Sequence, residues 1–164
     1  MYRIWYSSEG FAEYIRNKTI LSERKVELLR LYESDTSKPK NFHTMPDHIK
    51  KILYLDAPDI IVEYNTEPIF SIEESKEAGT GHNACQRCAR LAASVENDVP
   101  ALYLYPEAVI ISRKGKNGRG STKWDSINPL VFRGLNSVMN IYNIPALLFY
   151  YPSDYDVRPF CWTV

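Results

Sequence analysis

The chain has 164 residues, of which 45% are hydrophobic and 24% charged; this is enough apolar surface for one folded domain and argues against a disordered protein. Its 20 basic and 20 acidic residues cancel, so the chain as a whole lacks the excess positive charge typical of nucleic-acid-binding proteins, although a local basic patch would be sufficient. No window approaches the apolar length of a membrane-spanning helix, and three cysteines do not make a disulfide framework. We therefore expect a soluble, cytoplasmic, single-domain protein over residues 1–164, with no membrane partner.

The first predicted elements are two helices separated by a polar loop. Residues 20–34 have apolar side chains, among them Val26 and Leu29, at spacings that indicate a buried helix face, and Ser22 is placed as a possible N-cap. A short helix is predicted from Pro46, because proline is favoured in the first turn.

From residue 59 onward, the sequence predicts a sheet covered by further helices. Residues 59–64 and 68–75 are β-rich runs joined by a short turn, which is typical of a hairpin. The remaining predicted elements are a helix over 83–96, strands over 100–106 and 108–114, a basic glycine-rich loop over 114–124, a helix over 126–143 and a buried strand over 144–152. Strands with helices between them predict an α/β fold with a central mixed β-sheet flanked by helices.

Two carboxylates and a lysine fall at one end of the predicted hairpin. Strand alternation places Glu74 and Lys76 on the same side, about 7 Å apart. Asp59 begins the preceding strand, and in a hairpin the start of one strand pairs with the end of the next. Converging carboxylates suit Mg2+, and a lysine beside them can orient a water molecule or balance charge at a phosphate. The alternative is a solvated sheet edge, where such residues are common.

Pro58-Asp59, fourteen residues, and then Glu74-Ser75-Lys76 resembles the signature of the PD-(D/E)xK nucleases, the fold of many type II restriction endonucleases. The resemblance implies a restriction-endonuclease-like core and a metal-dependent endonuclease that hydrolyses phosphodiester bonds in DNA. Asp59, Glu74 and the backbone carbonyl of Ser75 would hold Mg2+, with Mn2+ as the alternative ion. Lys76 would position the attacking water or stabilise the developing negative charge.

Members of this family often add an acidic residue from the helix that precedes the hairpin. Glu27 is the candidate here, with Glu23 as the alternative. A single site of this kind cuts one strand, so a cut through both strands would need a homodimer or two binding events.

Two basic regions are candidates for binding nucleic acid. In the resembling family, the helix after the hairpin approaches the phosphate or the lysine, and here that helix carries Gln86, Arg87 and Arg90; the alternative is that its arginines are ordinary solvated residues. The glycine-rich loop concentrates positive charge and suits contact with a phosphate backbone. The basic residues of this loop and of the position before it are Arg113, Lys114, Lys116, Arg119 and Lys123.

Histidines and cysteines leave further alternatives open. His82, Cys85 and Cys88 have spacing that occurs in zinc sites, but no second ligand pair lies nearby and packing cysteines are commoner. If His43 or His48 reached the metal, the site would be more like that of a ribonuclease of the same fold. A non-catalytic nucleic-acid-binding domain is the remaining alternative.

Overall fold

The computed structural model describes residues 1–31, 44–75, 82–106, 108–114, 120–126 and 129–151. These contain four helices: α1 Glu9–Lys18, α2 Asp47–Lys50, α3 His82–Glu96 and α4 Pro129–Tyr142. They also contain eight strands: β1 Tyr2–Tyr6, β2 Val26–Arg30, β3 Ile60–Tyr64, β4 Glu67–Glu74, β5 Ala101–Pro106, β6 Ala108–Lys114, β7 Gly120–Ser126 and β8 Ala146–Tyr151. None of the helices among these residues is long and apolar enough to cross a membrane.

Six of the strands form one mixed sheet in the order β2-β1-β3-β4-β5-β8, and β6 pairs separately with β7. The neighbours β1, β3 and β4 are antiparallel, whereas β2 is parallel to β1 and the three strands β4, β5 and β8 are parallel. The predicted α/β fold with a mixed central sheet and flanking helices is confirmed.

Helices cover the two faces of the sheet unequally. On one face α1 packs through Phe11 and Ile15 against apolar residues of β1, β3 and β4. On the other face α2 lies over β1 and β3, and α3 and α4 lie over β5 and β8. Strand β4 therefore lies inside the sheet with a layer of side chains on both sides.

The predicted helix over residues 20–34 is wrong. Residues Ile20–Glu23 form one turn of 3-10 helix, with the Leu21 backbone N–H donating to the Thr19 hydroxyl at 3.2 Å, and Val26–Arg30 then runs as strand β2. The strand forms because β1 offers a parallel partner 24 residues earlier, in a βαβ unit with α1. Strand β1 and helix α1 were not predicted, so this partner was invisible in the local pattern.

The predicted hairpin is confirmed. Strands β3 and β4 are antiparallel, and the turn residues Asn65 and Thr66 have φ of 49° and 71°, which is the left-handed geometry favoured in tight hairpin turns. The helix from Pro46 is present but short, and the predictions for α3, α4, β5 and β6 are confirmed. Strand β8 is present as predicted, but it is not buried: it is the last strand of the sheet, and Leu147 and Phe149 are exposed. The predicted loop over 114–124 is wrong at both of its described ends, because Lys114 belongs to strand β6 and Gly120–Ser126 is strand β7; residues 115–119 lie outside the described part.

Candidate active site

The sheet brings Asp59 and Glu74 together at one edge. Ile60 pairs with both Tyr6 and Ile72, so the end of β1, the start of β3 and the end of β4 meet there. The Glu74 backbone N–H donates to Asp59 Oδ2 at 2.8 Å. Behind Asp59, the backbone N–H of Ser7 donates to its carbonyl oxygen at 2.9 Å, which fixes the start of β3 against the end of β1.

The end of β4 is held equally firmly on its other side. Ser75 is buried, and its backbone N–H donates to the Leu104 carbonyl of β5 at 2.8 Å. Asp59 and Glu74 are both half-buried. Lys76, the third residue of the predicted motif, lies outside the described residues.

A second glutamate, Glu73, lies beneath this edge on the face covered by α3. Its side chain is buried, and its Oε1 accepts from Arg90 Nη1 at 2.7 Å, with Arg87 Nε at 3.9 Å. Burial, together with the nearby negative charge of Asp59, raises the pKa of Glu73 to about 8, although both arginines favour the charged form. The other oxygen, Oε2, has no hydrogen-bond partner among the described residues.

Asp56, three residues before Asp59, is the second acidic partner of Arg90. Its Oδ2 accepts from Arg90 Nε at 2.9 Å, from Arg90 Nη2 at 2.8 Å and from Gln86 Nε2 at 2.7 Å. Burial alone would raise the pKa of Asp56, but these hydrogen bonds and that from the Ala57 backbone hold it below its usual value. Asp56 is therefore a charged anchor for the segment that leads into Asp59.

The α3 residues predicted to bind nucleic acid are engaged within the protein. Arg87 Nη1 donates to the backbone carbonyl of Glu74 at 3.3 Å, and Gln86 donates to Asp56. The positive charges of Arg87 and Arg90 thus lie beside the carboxylates of Glu73 and Asp56, whose negative charge they offset.

The structure does not bring Glu27 to this edge. It lies on β2 and not on a helix, and its Oε2 accepts from Arg3 Nε at 3.1 Å. Arg3 also donates from Nη1 to Glu63 at 2.6 Å, and Glu63 is four residues along β3 from Asp59, roughly 13 Å away. Glu23, the alternative, is exposed in the 3-10 turn.

Among the described residues, no contact supports a metal site built from histidine or cysteine. His48 Nε2 lies 3.2 Å from Glu63 Oε2, at the end of the sheet away from Asp59, and His43 is outside the described part. Cys88 packs into the apolar core between α3, α4 and β5. Within the described ranges, three or more His, Cys, Asp or Glu side chains are nowhere grouped to hold a metal ion.

The basic residues of the predicted loop are distributed over the β6–β7 pair and its connection. Arg113 and Lys114 end β6, and Lys123 lies in β7, opposite Ile111. Lys116 and Arg119 fall among residues 115–119, outside the described part. Contact of these basic residues with nucleic acid stays a prediction.

Sequence reasoning missed the roles of Glu73, Asp56 and Arg90. A partial signal was present, because strand alternation turns Glu73 away from Glu74 into the interior of an apolar strand, where a carboxylate requires a partner. Gln86 and Arg90 are also spaced four residues apart, as one face of a helix requires. The identity of their shared partner, Asp56, depends on tertiary packing.

Comparisons of the chain with protein-family models, with curated proteins and with solved structures find no match. The interpretation of this edge of the sheet therefore depends on its residues, their distances and their charges.

Proposed function

We propose that this chain is a Mg2+-dependent endonuclease that hydrolyses phosphodiester bonds in DNA, with a core of the PD-(D/E)xK type. The observation that carries the proposal is the contact between Asp59 and the Glu74 backbone, at 2.8 Å, at the edge where four strands of the sheet end or begin. Direct contact between Asp59 and the end of β4 supports a site built where rigid elements adjoin.

The donor set fits Mg2+. The ion binds through one or two carboxylates and retains several waters, so a closed cage of three or four protein ligands is unnecessary. Asp59 and Glu74 would supply the carboxylates, and the backbone carbonyl of Ser75 would supply a third oxygen. When bound, the ion would lower the pKa of a water molecule and offset negative charge at the phosphate.

The chain's own residues would position and balance this site. Lys76, next in sequence to Ser75, would orient the attacking water or stabilise the charge that develops on the phosphate. Arg87 and Arg90 pair with Glu73, the residue before Glu74, and offset its negative charge beneath the site. The basic residues of β6, β7 and their connection would contact the phosphate backbone.

In the cell, we expect this activity to be restriction-type, sequence-specific cleavage of DNA in the cytoplasm. A homodimer would supply the second site needed to cut both strands.

The test is incubation with long, sequence-diverse DNA in Mg2+ or in EDTA, beside Asp59→Asn. Asparagine retains an oxygen for the Glu74 backbone N–H but removes the charge, so we expect the fold to persist while kcat/KM falls by about 100-fold or more. Glu67→Gln is the matched control, since Glu67 is exposed at the opposite end of β4. We expect this variant to cleave DNA at the wild-type rate.

Discrete DNA fragments that require Mg2+ and Asp59 would support a sequence-specific endonuclease. Cleavage of RNA but not DNA would replace the proposal with a ribonuclease of the same fold. Intact DNA and RNA under every condition would contradict catalysis and favour the non-catalytic nucleic-acid-binding domain.

A further inference from the structure

Helix α3 is hydrogen-bonded to both chain segments that build the candidate site. Through Gln86 and Arg90 it holds Asp56, which lies three residues before Asp59 on the path into β3. Through Arg90 it also holds Glu73, the residue before Glu74 at the end of β4. The two segments then meet in the hydrogen bond between Asp59 and the Glu74 backbone.

The guanidinium group of Arg90 is what joins these two segments. Nε and Nη2 both donate to Asp56 Oδ2, at 2.9 and 2.8 Å, while Nη1 donates to Glu73 Oε1 at 2.7 Å. Three donations in one plane from a single side chain require the rigid fork of arginine; the ammonium of lysine is a point charge on a flexible stem. The Arg90 side chain is only 21% exposed, so water competes weakly for these bonds.

We propose that Arg90 is a positioning residue of the active site: by bridging Asp56 and Glu73 it sets the distance between Asp59 and Glu74. The inference rests on the proposed function and deepens it, since it assigns Arg90 to the preparation of the site and not to DNA contact. Arg87, which donates to the Glu74 carbonyl at 3.3 Å, supports the same strand end.

The competing explanation is that Arg90 merely stabilises the fold, as many buried ion networks do. Arg3 provides a matched control, because it too joins two glutamates, Glu27 at 3.1 Å and Glu63 at 2.6 Å. That bridge crosses three strands of the same sheet but lies at the end away from Asp59. Arg3→Lys therefore makes the same chemical change without touching the site.

The experiment compares Arg90→Lys with Arg3→Lys by two readouts. The first is hydrogen exchange of the Glu74 amide, which reports the bond to Asp59 directly and requires no activity. We expect exchange about tenfold faster or more in Arg90→Lys, the effect of losing a hydrogen bond to a charged group, and unchanged in Arg3→Lys. The second is cleavage kinetics, where we expect kcat to fall about tenfold or more in Arg90→Lys with KM for DNA unchanged.

Equal loss of thermal stability in the two variants, with neither altering Glu74 exchange, would overturn the proposal and leave Arg90 a fold-stabilising residue. A raised KM with unchanged kcat would also overturn it, in favour of DNA contact. If Arg90→Lys does not fold, Asp56→Ala removes the acceptor of two of the three Arg90 hydrogen bonds, with the same two expectations. If the wild-type chain cleaves no nucleic acid, the proposed function fails, while the exchange of the Glu74 amide still decides the positioning role.

Discussion

Glu63 and Glu73 are both buried on the same face of the sheet, yet their surroundings shift their pKa values in opposite directions. Burial alone would raise the pKa of Glu63, but hydrogen bonds from Trp5, Arg3 and His48 outweigh it, and the pKa lies below its usual value. At Glu73, burial and the charge of Asp59 together outweigh the arginines, so the pKa rises to about 8. The two glutamates differ in their hydrogen bonds: among the described residues, both oxygens of Glu63 accept hydrogen bonds, whereas only one oxygen of Glu73 does.

This difference predicts how stability depends on pH in the absence of metal. A carboxyl group whose folded pKa exceeds its unfolded value of 4.5 binds a proton more tightly when folded. Its contribution is fully present below pH 4.5 and is lost as pH rises through about 8. We expect the free energy of unfolding, measured by urea titration in EDTA, to lose up to about 5 kcal/mol from this group over that range. Glu73→Gln should remove most of the slope.

Glu63→Gln is the control for this measurement, and its effect should lie on the acid side. Since the folded pKa of Glu63 is depressed, its contribution is present above pH 4.5 and is lost as pH falls through the folded value. The variant should flatten the acid limb and leave the slope between pH 4.5 and 8 in place. A wild-type slope unchanged by Glu73→Gln would show that burial of Glu73 does not govern its protonation.

At the scale of elements, local patterns were sufficient for the hairpin and insufficient for β2. The β3–β4 pair is contiguous, and its turn at Asn65 and Thr66 has the residues and backbone geometry of a hairpin connection. Strand β2 and the residues just before it, by contrast, are rich in Leu, Glu, Lys and Arg, which favour helix. The segment is nevertheless extended, because β1 pairs with it. Tertiary pairing overrode local propensity there.

The same distinction explains how much of the site could be predicted. Asp59 and Glu74 were placed together from the hairpin alone, since antiparallel pairing is fixed by the turn. The bridge from Arg90 to Asp56 joins residues 34 positions apart, with two strands and the first turns of α3 between them. No spacing rule reaches that far, and the wrong helix assignment also misplaced Glu27.

Gly134 in the interior of α4 gives a prediction at this scale. An added Cβ would meet no heavy atom within 4 Å, and the residue has ordinary helical geometry. Gly134→Ala should therefore raise the free energy of unfolding by about 0.5–1 kcal/mol, because alanine has less conformational entropy to lose on folding. Thermal or urea unfolding measures the gain. Gly10→Ala, equally unobstructed but in the first turn of α1, should gain less, and a loss at Gly134 would mean that α4 packs more closely there.

In the molecule as a whole, the sheet keeps the candidate site and the ion pairs of Arg3 at opposite ends of its strands. The central strands are buried on both faces by three apolar clusters, which makes the edge at Asp59 rigid. The carboxyl ends of β1, β4, β5 and β8 and the start of α1 all lie at this edge, the usual location of a ligand crevice in such sheets. At the opposite end, Glu27 and Glu63 form ion pairs with Arg3, which stabilise the fold.

The net charge of the protein bears on how it would bind DNA. With 20 acids and 20 bases, the protein as a whole does not attract DNA, so affinity must come from a local group such as the β6–β7 pair and its connection. Replacing Lys116 and Arg119 with Gln should lower the slope of log affinity against log salt by about 2, one for each lost phosphate contact. Fluorescence anisotropy with a duplex, without Mg2+, measures it. The exposed pair Lys18 and Lys25, changed likewise, should leave the slope unaltered; equal effects from both pairs would show that the basic connection has no special part in binding.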